Sequence, residues 1–104
     1  MKTRNALEIT KRKKARGAML SLLADGYPVG ITYQVMERML VDAGAAQAHE
    51  IPQLVEYLKD KKYLIVTTPE EPDVKPLKQA LLELSARGVD LLEGSIPDDP
   101  GVDY

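Results

Sequence analysis

The sequence contains no cysteine, phenylalanine or tryptophan, and His49 is its single histidine. Without cysteine there is no disulfide scaffold, no thiolate metal site and no cysteine nucleophile. A single histidine does not make a metal site by itself, and no second ligand stands at an HxxxH or HxxE spacing from it. We therefore expect neither a metal nor another cofactor.

Long apolar runs are also missing. None approaches the roughly 20 residues that span a bilayer, and Ala18–Ala24 is too short for the core of a signal peptide. There is no glycine-rich phosphate loop. The carboxylate pairs Glu70 with Glu71 and Asp98 with Asp99 are expected to lie in exposed stretches beside prolines, where no burial would tune a pKa for catalysis. We expect a cytoplasmic protein that is not an enzyme, with no membrane contact and no identifiable small-molecule ligand.

The charges that are present are divided unevenly along the chain. Residues 1–16, which we name the basic head, hold seven basic side chains and one acidic one. The remaining residues carry seven basic and fifteen acidic side chains, so the formal net charge of −2 describes neither part. A cluster of lysine and arginine of this kind favours contact with phosphates, while a solubilising extension is the alternative.

The first predicted helix begins at a cap, Thr3 or Asn5, and ends at Asp25. Apolar residues follow helical spacing only from Ala15 onward. Residues 1–14 are therefore predicted to form a solvated, basic helical extension.

Two more helices are predicted after a turn rich in glycine and proline. Thr32 is the N-cap of the second helix, and Gly44 follows its end. The third helix begins between Gln47 and Pro52 and ends near Lys62, because proline is tolerated only in the first turn.

The pattern then changes from helix to strand. Tyr63–Thr68 is rich in β-branched residues, and Pro69–Pro76 cannot continue a strand because it holds three prolines. Leu77–Leu84 can return as a second antiparallel strand, although the same residues also have helical propensity. A last short helix is capped by Ser85 and ends before Gly94.

This order of elements predicts an α+β fold that is mainly α, the winged helix-turn-helix. It comprises three helices, a two-stranded β-wing and a short C-terminal helix, and we expect it over residues 15–94. Residues 95–104, which we name the tail, hold two prolines and three acidic residues with no core period. We expect the tail to be an irregular acidic extension.

Two segments carry a resemblance to a known family. "LVEYLKDKKYLIV" (Leu54–Val66) resembles the junction of recognition helix and strand in ArsR- and MarR-like regulators, and "LELSARGVDLLEG" (Leu82–Gly94) resembles their step from wing strand to final helix. With the "LLEG…DPG" ending, the combination is similar to small uncharacterised winged-helix proteins of prophages and Mu-like phages. Lys62 departs from the glycine usual at the end of the recognition helix, which costs little if Lys62 is not left-handed.

The resemblance implies a small transcriptional regulator or phage accessory factor that binds double-stranded DNA as a homodimer. On the third helix, Gln53 and His49 face away from the apolar stripe near the helix start, where recognition helices read base edges. The predicted DNA-binding residues are these two, the basic residues of the head and one in the wing: Lys11, Arg12, Lys13, Lys14, Arg16, His49, Gln53 and Lys75.

The alternative is a winged-helix module that binds another protein in a phage assembly or host-takeover complex. Glu56 and Asp60 lie on the same face as Gln53, and the predicted wing turn and the tail are acidic. Carboxylates on these surfaces repel a phosphate backbone but suit a basic protein.

Overall fold

The computed structural model describes residues 3–69 and 77–104. Within these residues the fold is α+β and mainly helical, with four α-helices, three short strands and two single 3₁₀ turns. In chain order the elements are α1 Thr3–Asp25, β1 Ile31–Thr32, α2 Tyr33–Asp42, the 3₁₀ turn Ala48–Glu50, α3 Ile51–Asp60, β2 Leu64–Thr67, the 3₁₀ turn Leu77–Gln79, β3 Leu81–Leu84 and α4 Ala86–Glu93.

The strands of the described residues form one antiparallel sheet in the order β1-β3-β2. Leu64 is paired with Leu84 and Thr67 with Leu81, which confirms the predicted pairing of the two strands. The strand predicted from Leu77 begins only at Leu81, because Leu77–Gln79 forms a 3₁₀ turn. β1 was not predicted, since two residues show no alternation.

The predicted caps hold the ends of the helices. The Thr32 side chain accepts a hydrogen bond from the Val35 N–H at 3.4 Å, and the Ser85 side chain accepts one from the Gly88 N–H at 3.0 Å. Gly44 and Gly94 have φ values of 72° and 78°, in the left-handed region that glycine favours. These local signals were therefore interpreted correctly.

α3 begins at Ile51, within the predicted range from Gln47 to Pro52, and ends at Asp60, two residues before the predicted end near Lys62. His49 lies in the 3₁₀ turn before α3, so its placement on the helix was wrong. A capping box at Gln47 and Glu50 fixes this turn, with the Glu50 carboxylate accepting the Gln47 N–H at 2.8 Å. After α3, Lys62 has a φ of 69° and is the left-handed residue that glycine would occupy at lower cost.

One hydrophobic core joins the helices to the sheet. α1 supplies buried residues from Ala15 onward, as predicted, and the inner sides of α2, α3, β3 and α4 cover them. The largest side chains that are almost fully buried are Met19, Leu20, Leu23, Tyr33, Met36, Leu40, Ile51, Val55, Leu58, Leu82 and Leu91.

The tail is irregular, as predicted, but it is not an extension. It folds back against α1, and Val102 is only 6% exposed within the core. The Asp103 N–H donates to the Lys13 carbonyl at 3.0 Å. A β-carbon on Gly17 would lie 1.9 Å from the Asp103 carbonyl oxygen, so the close approach depends on glycine in α1. The expectation failed because this packing depends on contacts distant in the sequence.

Candidate functional site

A groove of about 920 Å³ separates the first half of α1 from the turn before α3 and the first turn of α3. Basic side chains line one wall, and the exposed polar residues His49 and Gln53 lie on the other. The charged residues on the α1 wall are Glu8, Lys11, Arg12 and Lys14. The groove therefore combines cations with hydrogen-bonding groups.

Helical spacing explains the basic wall. Lys11, Arg12 and Ala15 follow Glu8 by three, four and seven residues, which places all four on one side of α1. Ala15 is 3% exposed and marks the point where this side enters the core. The basic residues just before it are thereby held beside the body of the protein.

The opposite wall is set by the geometry of the helix start. Gln53 lies in the first turn of α3 and is exposed, and His49 is exposed in the preceding 3₁₀ turn. The Glu50 carboxylate also lines the groove, but it accepts the Gln47 N–H. That bond leaves Gln53 and His49 as the open polar side chains at this end of α3.

Arg16 has a different environment from the groove residues. Its guanidinium carbon lies 3.6 Å from the centre of the Tyr57 ring, and Nη1 donates to the Gly101 carbonyl at 3.0 Å. Among the described residues its buried Nε has no hydrogen-bond partner. Burial lowers the pKa of Arg16 below its ordinary value. Arg16 therefore holds the tail against α3 and lies outside the groove.

Asp99 anchors the tail on the other side of Tyr57. Its Oδ2 accepts a hydrogen bond from the Tyr63 hydroxyl at 2.6 Å, its Oδ1 accepts the Gly101 N–H at 2.7 Å, and Lys61 Nζ lies 3.7 Å from Oδ2. Burial would raise the pKa of the Asp99 carboxyl, but these two hydrogen bonds and the Lys61 charge together hold it below its usual value.

The sequence did not predict the contacts that Asp99 makes with Tyr63, Gly101 and Lys61. Asp98 and Asp99 were interpreted as an exposed pair flanked by prolines, whereas the Asp99 side chain is 8% exposed. The available signals were Ile96 and Val102, two apolar residues six positions apart in a polar segment. Two isolated residues show no periodicity, so they do not distinguish a docked segment from a free one.

The structure thus places some of the predicted DNA-binding residues in the groove and others outside it. The groove brings together Lys11, Arg12, Lys14, His49 and Gln53. Lys13 and Arg16 lie where the tail contacts α1, and Lys75 is outside the described residues.

Comparison of the chain with protein-family models, curated proteins and solved structures gave no match. In the part of the chain that the structure describes, His, Asp and Glu side chains form no group of three suited to a metal ion. No helix within residues 3–69 and 77–104 is long and apolar enough to cross a membrane.

Proposed function

We propose that this protein binds double-stranded DNA through the groove, as a small winged-helix regulator or phage accessory factor. One observation carries the proposal: three cations of the basic head and the two candidate base-reading residues line the same groove. In the proposed complex, α1 contacts the phosphate backbone while the start of α3 approaches the base edges.

The arrangement of the elements supports the winged-helix assignment. α2 and α3 are joined by a short connection, α3 leads directly into β2, and β3 lies between β1 and β2. A helix pair followed by an antiparallel ribbon is the order expected of a helix-turn-helix domain with a wing. Residues 70–76, which include Lys75, are outside the described residues, so contact between the wing and DNA stays a prediction.

The phosphate contacts follow from the basic wall. Lysine and arginine on one side of a helix can track a backbone, and each neutralised phosphate adds about −0.9 to the slope of log affinity against log salt. Lys11, Arg12 and Lys14 would together contribute a slope of about −2.7.

The base contacts are made at the first turn of α3. Gln53 can pair with adenine through its amide, and His49 adds a hydrogen-bonding group beside it. Glu56 and Asp60 are exposed further along α3 and would repel phosphates there. We therefore propose that only the start of α3 enters the major groove.

The test is fluorescence anisotropy with a labelled random duplex between about 50 and 200 mM salt. Replacing Lys11, Arg12 and Lys14 by alanine should flatten the salt slope by about 2.7. Replacing Lys59, Lys62 and Lys78 by alanine removes the same charge from exposed positions outside the groove and should change the slope much less. Absence of binding by the intact protein, or equal losses in both variants, would contradict the proposal.

Binding as a homodimer is part of the same proposal. Helix-turn-helix proteins pair so that two recognition helices read half-sites about one DNA turn apart. Light scattering of the complex with a duplex of two half-sites should then give two chains per duplex, and one chain per duplex at saturation would exclude the dimer.

A second candidate function is recognition of a basic partner protein through the acidic side of α3. The Glu56 side chain is 60% exposed and lies 3.8 Å from Lys59, an ion pair too open to neutralise this surface. The double substitution Glu56→Gln and Asp60→Asn separates the two candidates. Tighter duplex binding by this variant supports the DNA function, whereas no duplex binding by either protein favours the protein-interaction module.

A further inference from the structure

The tail continues the line of the groove along the same two helices. Arg16 lies one turn of α1 beyond Arg12 of the groove wall, and Tyr57 lies one turn of α3 beyond Gln53. The Arg16–Tyr57 stack therefore lies where the open groove ends and the docked tail begins. A ligand that follows α1 past the groove would meet the tail.

The tail is held mainly by polar contacts. Val102 is its one side chain in the buried core, and all ten residues of the tail are described. Ile96 packs against the same core but is only partly buried. The remaining anchors are polar: Asp99 with Tyr63 and Lys61, the Gly101 carbonyl with Arg16, and the Tyr104 hydroxyl with the Leu91 carbonyl. Hydrogen bonds and ion pairs exchange for water or for another anion at lower net cost than a large apolar contact.

Arg16 is incompletely satisfied while the tail is docked. Nη1 donates to a neutral carbonyl, and Nε is buried with no partner among the described residues. A guanidinium presents adjacent donors that fit two oxygens of one phosphate. A phosphate has several acceptor oxygens and would pair with more of these donors than the single Gly101 carbonyl does.

We propose that the tail is an intramolecular competitor for nucleic acid. When docked, it occupies Arg16 with the Gly101 carbonyl and Lys61 with the Asp99 carboxylate. When released, it adds Arg16 and Lys61 to the DNA-binding surface. This inference rests on the proposed function, since it concerns the regulation of the same surface.

The experiment uses Val102→Ser, which removes the apolar anchor without changing charge. Release of the tail is measured by hydrogen exchange of the Asp103 amide, which donates to Lys13 in the docked state. Circular dichroism checks that the helices remain. With the tail released, the salt slope of binding to a random duplex should steepen by about 1.8, for two additional phosphate contacts.

Arg16→Ala provides the decisive comparison. In the intact protein it should not flatten the salt slope, because the docked tail already withholds Arg16, and in the Val102→Ser protein it should flatten the slope by about 0.9. Asp99→Asn is a second way to loosen the tail, with Asp42→Asn as a control that removes one exposed acid elsewhere. Asp99→Asn should tighten duplex binding more than Asp42→Asn.

The outcomes separate this inference from the proposed function. Groove-dependent binding with an unchanged slope after release of the tail would overturn the competitor role alone. An Asp103 amide that stays protected in both tail variants would also overturn it, because the tail would then not be releasable. Absence of duplex binding by every variant would overturn both proposals.

Discussion

Two groups of basic residues in the same helix have different environments. Lys11, Arg12 and Lys14 line an open groove, whereas Arg16 is stacked on Tyr57 and bonded to Gly101. Arg12 and Arg16 are one helical turn apart on the same side of α1. The difference therefore comes from the tail, which covers Arg16 and leaves the groove residues open. A count of positive charges in a segment therefore does not give the number available to a ligand.

Gly17→Ala should have the largest effect on stability, because Gly17 lies where the tail packs against α1. The new β-carbon would meet the Asp103 carbonyl oxygen at 1.9 Å, which forces the tail to move. We expect a loss of about 2 kcal/mol in the free energy of unfolding, after the gain of about 1 kcal/mol from better helix propensity. Urea unfolding measures it.

Gly26→Ala is the matched control for this substitution. Its β-carbon would be 3.5 Å from the Val29 carbonyl oxygen, an ordinary contact. We expect a change within about 0.5 kcal/mol. A Gly17→Ala protein as stable as the Gly26→Ala protein would show that the tail is not packed as described.

Asp99→Asn should have the next largest effect. It removes a charged acceptor from the Tyr63 hydroxyl and the charge opposite Lys61, and we expect a loss of about 1 to 2 kcal/mol at neutral pH. Because folding lowers the pKa of Asp99, its contribution is full above its ordinary value of 3.8 and is lost as the pH falls through the lower folded value. The stability difference between the two proteins should therefore shrink below about pH 4.

The coupling to Tyr63 controls for other effects of Asp99→Asn. Tyr63→Phe should cost more in the intact protein than in the Asp99→Asn protein, as a double-mutant cycle would measure. Equal costs in the two backgrounds would mean that the hydrogen bond contributes no coupling energy.

Lys62→Gly should give a smaller change of opposite sign. Lys62 has a φ of 69°, and glycine adopts this conformation without a β-carbon penalty. We expect stabilisation of about 0.5 to 1 kcal/mol by thermal unfolding. Lys59→Gly, within α3, should instead destabilise by about 1 kcal/mol. Stability changes of the same sign in the two variants would contradict backbone strain at Lys62.

The smallest effect on stability is expected for the residues of α1 that line the open groove. Replacing Lys11 and Arg12 by alanine should change the free energy of unfolding by less than about 0.5 kcal/mol, because neither makes an ion pair or a side-chain hydrogen bond among the described residues. Arg16→Ala should cost about 1 kcal/mol through the lost stack and hydrogen bond. Equal losses of unfolding free energy in the two variants would contradict the difference between the groove residues and Arg16.

The parts of the fold that were predicted depend on local chemistry. Thr32 and Ser85 are capping residues whose partners lie three positions away, and the paired strands followed from β-branched residues and prolines. Docking of the tail depends on two isolated apolar residues, Ile96 and Val102, and on partners far away in sequence, so no local pattern indicated it. His49 was misplaced because helical spacing was extended through a 3₁₀ turn.

The candidate site was predicted in part. Five of the eight residues line the groove. The basic cluster and the polar residues near the start of α3 were named from the sequence, whereas the proximity of α1 to the turn before α3 is a tertiary contact that no local pattern indicates. The separation of Arg16 from its neighbours was not predictable, since it requires the Tyr57 ring and the Gly101 carbonyl. Whether these residues contact DNA stays a prediction.

The bond between Arg16 and Gly101 also bears on the order of events in folding, because it closes a loop between residues 85 positions apart. Closing a long loop costs chain entropy, and the surface on which the tail docks, including the Arg16–Tyr57 stack, is formed by two helices that must first pack together. We therefore expect the tail to dock after the rate-limiting step. Stopped-flow measurements on Val102→Ala should then show faster unfolding with nearly unchanged refolding, which would make the tail a determinant of the lifetime of the folded protein.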